Sequence, residues 1–172
     1  MTIKNQWFLN AAMIFVAWLT LPFLGLRNIK RFLPASIMII LFESLNVQIG
    51  KKRKWWVFYN KPHSFLSGEF PFNIGPFLVG SMWILKLTYG KFKQFLLLNA
   101  IVDATFTFPM VWVLKKMKIV TLVRINNFQF FIYIFYKAFL LYGIQYLFEY
   151  MKRFNRSSIL SSEQNPPMID QS

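Results

Sequence analysis

Three ionisable residues, Glu43, Asp103 and Lys137, lie inside long apolar stretches of this chain. A charged side chain in hydrocarbon is stable only where it meets protein, water or an opposite charge. Two carboxylates and an amine can neutralise one another as a structural ion pair, or they can bind and pass on a proton or another ion. Both kinds of chemistry require the three residues to share one layer of the fold.

The three residues are predicted to lie at similar depths. At the rise of an α-helix, Asp103 lies about 16 Å, Lys137 about 14 Å and Glu43 about 10 Å from the end of its own helix on the same side of the predicted bundle. We expect an Asp103–Lys137 pair, with Glu43 close enough to share it. The ordinary interpretation is a neutralised pair that fixes the register of neighbouring helices, and the alternative is a functional ionisable layer.

Smaller polar residues accompany the charges. Residues spaced four apart lie on one face of a helix. Asn99 and Thr107 flank Asp103 at this spacing. The expected polar neighbours of the layer are Asn46, Asn99, Thr107, Tyr133 and Gln145. We therefore predict a polar interior between otherwise apolar helices.

Five apolar stretches, separated by short basic clusters, carry these residues. Each is close to the roughly 20 residues that a helix needs to cross the hydrocarbon layer of a membrane. The chain is 56% hydrophobic and 15% charged, whereas soluble domains are about a quarter charged. The stretches lack the alternation of lipid-facing strands, which favours helices over a barrel.

The predicted fold is all-α, a transmembrane helical bundle of about five spans with short basic loops, in a single domain over residues 1–152. The helices are predicted at about 7–25, 32–50, 70–89, 94–114 and 127–149. Residues 153–172 are rich in Ser, Gln, Asn and Pro and are predicted to form a disordered polar tail.

Prolines and glycines are expected to disturb three of these helices. A basic turn over residues 27–31 is predicted to precede a second helix that opens at Pro34. The third helix is expected to have a broken or delayed start over residues 68–77, which contain two prolines and two glycines. Pro109 is expected to kink the fourth helix.

The net charge of +14 comes from Lys and Arg residues that lie almost wholly between the apolar stretches. Such residues anchor helix ends and favour the cytoplasmic side, and no nucleic-acid recognition motif accompanies them. We expect anionic lipid headgroups, and no nucleic acid, as the partner of the basic loops. The densest clusters, 51–54 and 115–118, fall on one side of a five-span bundle. This predicts a plasma-membrane protein with a cytoplasmic N-terminus and an external C-terminus; if one stretch is re-entrant instead of spanning, the C-terminus is cytoplasmic.

One loop combines basic and aromatic residues. It contains Lys51, Lys52, Arg53, Lys54, Trp55 and Trp56. Interfacial segments place rings at the level of the headgroups and amines on the phosphates. We predict that this segment lies on the membrane surface; the alternative is a site that docks another protein.

Signatures of catalysis and metal binding are missing. The chain has no cysteine and one histidine, His63. The lack of cysteine excludes thiolate catalysis and thiolate metal sites, and His63 with Glu69 is a weak metal signal. No Gly-rich phosphate loop or serine-nucleophile motif occurs. We therefore predict no enzyme activity, no cofactor and no metal.

A resemblance to a known family rests on residues 68–92, GEFPFNIGPFLVGSMWILKLTYGKF, with the basic Trp-Trp segment before them and NAIVD at residues 99–103. This pattern resembles a family of small uncharacterised polytopic integral membrane proteins of endospore-forming Gram-positive bacteria. The resemblance covers roughly residues 30–125. It implies a bacterial membrane protein and carries over no substrate and no functional residues.

Three functions remain open. A non-catalytic membrane component, such as an assembly partner, a sensor or a stress-related protein, is favoured because no feature demands chemistry. A small oligomeric proton- or ion-coupled transporter that uses Glu43, Asp103 and Lys137 is the alternative. A membrane-embedded lipid-modifying enzyme is third. A second copy of the chain or another membrane protein would be the partner in the first two cases.

Overall fold

The computed structural model describes residues 3–58 and 69–164 of the 172-residue chain. Five helical segments are long and apolar enough to cross a membrane, and the predicted all-α bundle is thereby confirmed. The helices are α1 (Ile3–Leu19), α2 (Leu21–Leu24), α3 (Leu26–Arg53), α4 (Phe70–Thr88), α5 (Phe92–Lys116) and α6 (Asn127–Gln164). Two short strands are β1 (Trp56–Phe58) and β2 (Val120–Leu122).

The junction between α2 and α3 differs from the prediction. α3 begins directly after Gly25, whose φ of 82° lies in the left-handed region that glycine adopts without strain. The predicted basic turn over residues 27–31 is wrong, because these residues form the first turns of α3. Pro34 lies inside α3 and removes one backbone hydrogen bond, the one that its N–H would donate to the carbonyl of Lys30.

α4 and α5 each contain a π-helical turn at a proline. These turns are Asn73–Phe77, around Pro76, and Phe106–Met110, around Pro109. Proline lacks an N–H and its ring crowds the carbonyl four residues earlier, and a wider turn relieves this clash. The disturbance expected at Pro109 therefore takes the form of a π turn. α4 is helical from Phe70 onward. In the described part of residues 68–77, the expected irregularity is therefore a π turn and not a break in the helix.

The π turn of α4 packs closely against α1. A Cβ atom on Gly75 would lie 3.1 Å from the Cα atom of Ile14, so the two backbones approach as they do only at a glycine. Trp18 donates its indole N–H to the carbonyl of Ile74 over 2.9 Å. The irregular backbone of the turn is thus covered by α1, as such backbone must be within a membrane.

The core lies where α3, α4, α5 and α6 meet. Its largest buried apolar side chains are Leu24, Phe32, Ile39, Met82, Leu85, Phe95 and Leu141. α1 is placed at the side of this core, and only 11% of the segment Trp7–Leu24 is buried. The outer surface of the bundle is therefore largely apolar.

The two strands join the connection after α3 to the connection after α5. β1 and β2 pair in antiparallel orientation, with Trp56 opposite Leu122 and Phe58 opposite Val120. The sheet places the basic clusters 51–54 and 115–118 at the same end of the bundle. Each strand has only three residues, which is too short for the sequence pattern to predict.

α6 begins at a capping box and extends further than expected. The side chain of Asn126 accepts a hydrogen bond from the Gln129 N–H over 2.8 Å, and the side chain of Gln129 accepts one from the Asn126 N–H over 3.0 Å. The helix then continues to Gln164, whereas a disordered tail was expected from residue 153. No glycine or proline follows Gly143 until residue 166, so nothing stops the helix. Residues 165–172 lie outside the described part of the chain.

Candidate functional site

A buried ion pair between Glu43 and Lys137 joins α3 to α6. The Lys137 side chain is 4% exposed and that of Glu43 is 12% exposed. The Tyr133 hydroxyl donates to the Glu43 carboxylate, at 3.4 Å from each oxygen. The Lys137 amine also lies 3.8 Å from the centre of the Tyr133 ring. Tyr133 and Lys137 are four residues apart on α6, so one face of this helix supplies both groups.

Asp103 occupies a different position from the one expected. The partner of Lys137 is Glu43, and among the described residues no ion pair of Asp103 with Lys137 or another cation is found. Asp103 is half-buried on α5 and interacts with the charge of Lys137 without contact. Glu43 and Lys137 are thus in direct contact, and the Asp103 carboxyl lies within range of the Lys137 charge.

The residues that flank Asp103 on α5 are buried. Asn99 donates its side-chain amide to the carbonyl of Phe95 over 2.8 Å. Thr107 is completely buried, and its hydroxyl has no hydrogen-bond partner among the described residues. Together with Asp103 they follow the face of α5 that turns toward the core.

The remaining two predicted neighbours do not join the layer. Asn46 donates its side-chain amide to the carbonyl of Phe42 one turn earlier, over 3.0 Å. Gln145 is buried but lies two turns beyond Lys137 on α6, where its amide donates to Glu149 over 3.2 Å. The spacing of Gln145 from Lys137 placed both residues on one face of α6, which was the reason to group Gln145 with the layer. Their separation along the helix axis nevertheless keeps Gln145 away from the Glu43–Lys137 pair.

A second charged contact, which sequence reasoning missed, ties α3 to α6 near the opposite end of the bundle. Arg31 binds Glu149 over 2.5 Å, and its guanidinium lies 5.2 Å from the centre of the Tyr89 ring. Gln145 reinforces this contact through Glu149. The opposite charges of Arg31 in the first turns of α3 and of Glu149 near the predicted end of the last helix were the signal that could have identified the pair.

The basic-aromatic segment is only partly at the surface. Its four basic residues are exposed, but Trp56 is 7% exposed. The Trp56 indole N–H donates to Glu69 over 2.7 Å, and Lys51 binds the other oxygen of Glu69 over 2.9 Å. The Trp56 ring therefore packs into the end of the bundle next to the paired strands β1 and β2, and the placement of the segment at a membrane surface stays a prediction.

A small open cleft lies beside the Lys51–Glu69 pair. Its volume is about 140 Å³, and it is lined by Ser44, Val47, Gln48, Lys51, Glu69, Phe70 and Asn73. Glu69, which lines the cleft, directly follows the range 59–68. This range contains His63 and lies outside the described residues. Within the described ranges, no group of three or more His, Cys, Asp or Glu side chains could hold a metal ion.

Comparisons with known proteins give no match to this chain, neither among protein-family models nor among curated proteins or solved structures.

Proposed function

We propose that this protein is a multi-pass component of a plasma membrane that assembles with lipid and protein partners and does not catalyse a reaction. The observation that carries this proposal is the largely buried Glu43–Lys137 pair. A transported ion or a substrate must reach the charged groups that act on it, whereas an ion pair that holds helices together is excluded from water. The Glu43–Lys137 pair resembles an ion pair that holds helices together.

The apolar outer surface supports the membrane location. Large side chains such as Phe8, Phe23 and Leu26 are exposed by 72%, 76% and 76%. Soluble proteins rarely expose continuous apolar surface of this kind, whereas lipid is its natural solvent. The resemblance to membrane proteins of endospore-forming bacteria supports a bacterial plasma membrane.

The joined basic loops support the orientation. The clusters 51–54 and 115–118 lie at the end of the bundle where β1 pairs with β2. Basic residues near the ends of spans are retained on the cytoplasmic side. In the proposed orientation this end, together with the N-terminus, faces the cytoplasm and binds anionic headgroups.

A flux measurement tests the functional class. The purified protein is reconstituted into liposomes that contain a pH-sensitive dye, and the internal pH is followed after an imposed gradient of protons, sodium or potassium. We expect the same leak as in empty liposomes. A protein-dependent flux would contradict the proposal.

The second candidate is a small oligomeric proton- or ion-coupled transporter. The observation that favours it is the half-buried Asp103, which lies near Lys137 without an ion pair among the described residues. Carboxylates within membrane spans commonly mark ion pathways and proton relays. A flux that Asp103→Asn abolishes and Glu149→Gln retains would establish this candidate.

A further inference from the structure

The charges of the buried layer do not balance. Glu43 and Asp103 carry one negative charge each, and Lys137 carries one positive charge. The ion pair with Glu43 engages the Lys137 amine directly. One negative charge therefore remains near Asp103 if all three groups are ionised.

No other described cation is placed to compensate Asp103. α5 packs against α4 and α6. α4 carries Lys86, whose amine instead donates to the carbonyl of Phe23 over 2.9 Å. α6 brings Lys137, already paired, and Tyr133, whose hydroxyl donates to Glu43.

The surroundings also hold an unsatisfied polar group. The Thr107 hydroxyl, one turn from Asp103, is fully buried and has no hydrogen-bond partner among the described residues. A buried hydroxyl without a partner is costly, and a bound water or ion is one of the explanations for such a group. This observation is independent of the charge count and lies on the same face of α5.

We propose that the Asp103 carboxylate is a proton-binding site in the interior of the bundle, while Glu43 remains the ionised partner of Lys137. A hydronium ion transfers its proton to a carboxylate oxygen, which leaves a neutral carboxylic acid and water. The layer then has no net charge. A proton suits the site better than a hard metal cation, which takes six or more oxygen ligands where the described residues offer few.

This site is separate from the proposed structural role. Proton binding at Asp103 requires access of water from one side, but it requires no passage across the membrane. The protein can therefore bind a proton at Asp103 and still show no flux in liposomes.

Infrared spectroscopy of the protein in liposomes tests the site. The spectrum is recorded as the pH is raised, and a buried carboxylic acid appears as a C=O band that is lost on ionisation. The chain contains only two aspartates, Asp103 and Asp170. Protein made with aspartate that carries ¹³C in the side-chain carboxyl, in an Asp170→Asn background, therefore identifies Asp103 by the isotope shift of the band.

We expect a titrating band that shifts with the ¹³C label, disappears in Asp103→Asn and remains in the matched control Glu149→Gln. The isotope measurement leaves Asp103 intact, so it holds even if Asp103→Asn fails to fold. A band that does not shift would place the proton on a glutamate and overturn the proposal. The absence of any titrating band would overturn it too, and so would a band that sodium ions remove at constant pH, since sodium would then be the ligand.

Discussion

Glu43 of α3 and Lys137 of α6 form an ion pair whose side chains are only 12% and 4% exposed. The Tyr133 hydroxyl donates to the same carboxylate, and the Lys137 amine lies over the Tyr133 ring. Both members of the pair therefore have additional contacts. Removal of one member of a buried pair leaves an uncompensated charge and costs about 3–5 kcal/mol. The two members are not equivalent, however, because Asp103 lies near Lys137.

Lys137→Met and Glu43→Gln are therefore expected to differ. Lys137→Met leaves two carboxylates in the layer and should lower the free energy of unfolding by about 3–5 kcal/mol. Glu43→Gln should cost less, since Asp103 can replace Glu43 as counter-ion. The measurement is unfolding in mixed micelles with increasing denaturing detergent. Equal losses would show that Asp103 cannot reach Lys137, and a smaller loss for Lys137→Met would contradict the pairing.

Gly50, the glycine of α3, is expected to tolerate substitution by alanine poorly. A Cβ atom at this position would overlap the ring of Trp56, and overpacking of this kind costs about 1–3 kcal/mol. Gly143→Ala is the matched control, because a Cβ there meets nothing within 4 Å and alanine favours a helix by about 1 kcal/mol. Thermal unfolding in detergent should show Gly50→Ala destabilised and Gly143→Ala unchanged or more stable. If both variants behave alike, Trp56 does not pack against Gly50.

The hydrogen bond from Trp18 to the π turn of α4 gives a third prediction. Trp18→Phe replaces the indole by a smaller phenyl ring and removes the N–H that donates to the Ile74 carbonyl. Loss of this hydrogen bond should lower stability by about 0.5–1.5 kcal/mol. Trp7→Phe is the control, since both tryptophans are 49% exposed. The comparison uses the unfolding midpoint of each variant. A loss of equal size in the control would assign the effect to the ring and not to the hydrogen bond.

The proposed orientation can be tested with single cysteines, because the chain has none of its own. Val123 and Ser157 are both exposed and lie at opposite ends of the bundle. On intact cells, a membrane-impermeant maleimide should label Ser157→Cys, and it should label Val123→Cys only after permeabilisation. The reverse pattern would place the basic loops outside.

The sequence was sufficient for the all-α class because the length and apolar character of a segment determine whether it can span a membrane. It was also sufficient to group Glu43 with Lys137, since depth along a helix follows from counting residues. Counting does not give the rotation of each helix about its axis, and the choice of Glu43 over Asp103 depends on that rotation. The π turn after Asp103 adds to the error, because it shifts the face of α5.

The position of Trp56 could not be predicted for a different reason. A ring next to four basic residues is typical of a membrane surface. Its burial depends on a pairing between β1 and β2, which are separated by α4 and α5 along the chain. A contact of this kind is long-range, and a local pattern carries no information about it.

α6 is longer than the hydrocarbon layer is thick. Its 38 residues correspond to about 57 Å at the rise of an α-helix, against a layer of about 30 Å. If α6 crosses a membrane as proposed, roughly 25 Å of continuous helix extends beyond the hydrocarbon. When α6 tilts, the displacement of each residue increases with its distance from the packed part of the helix. A tilt too small to disturb the packing of α6 in the bundle would therefore move its tip further than any residue inside the membrane.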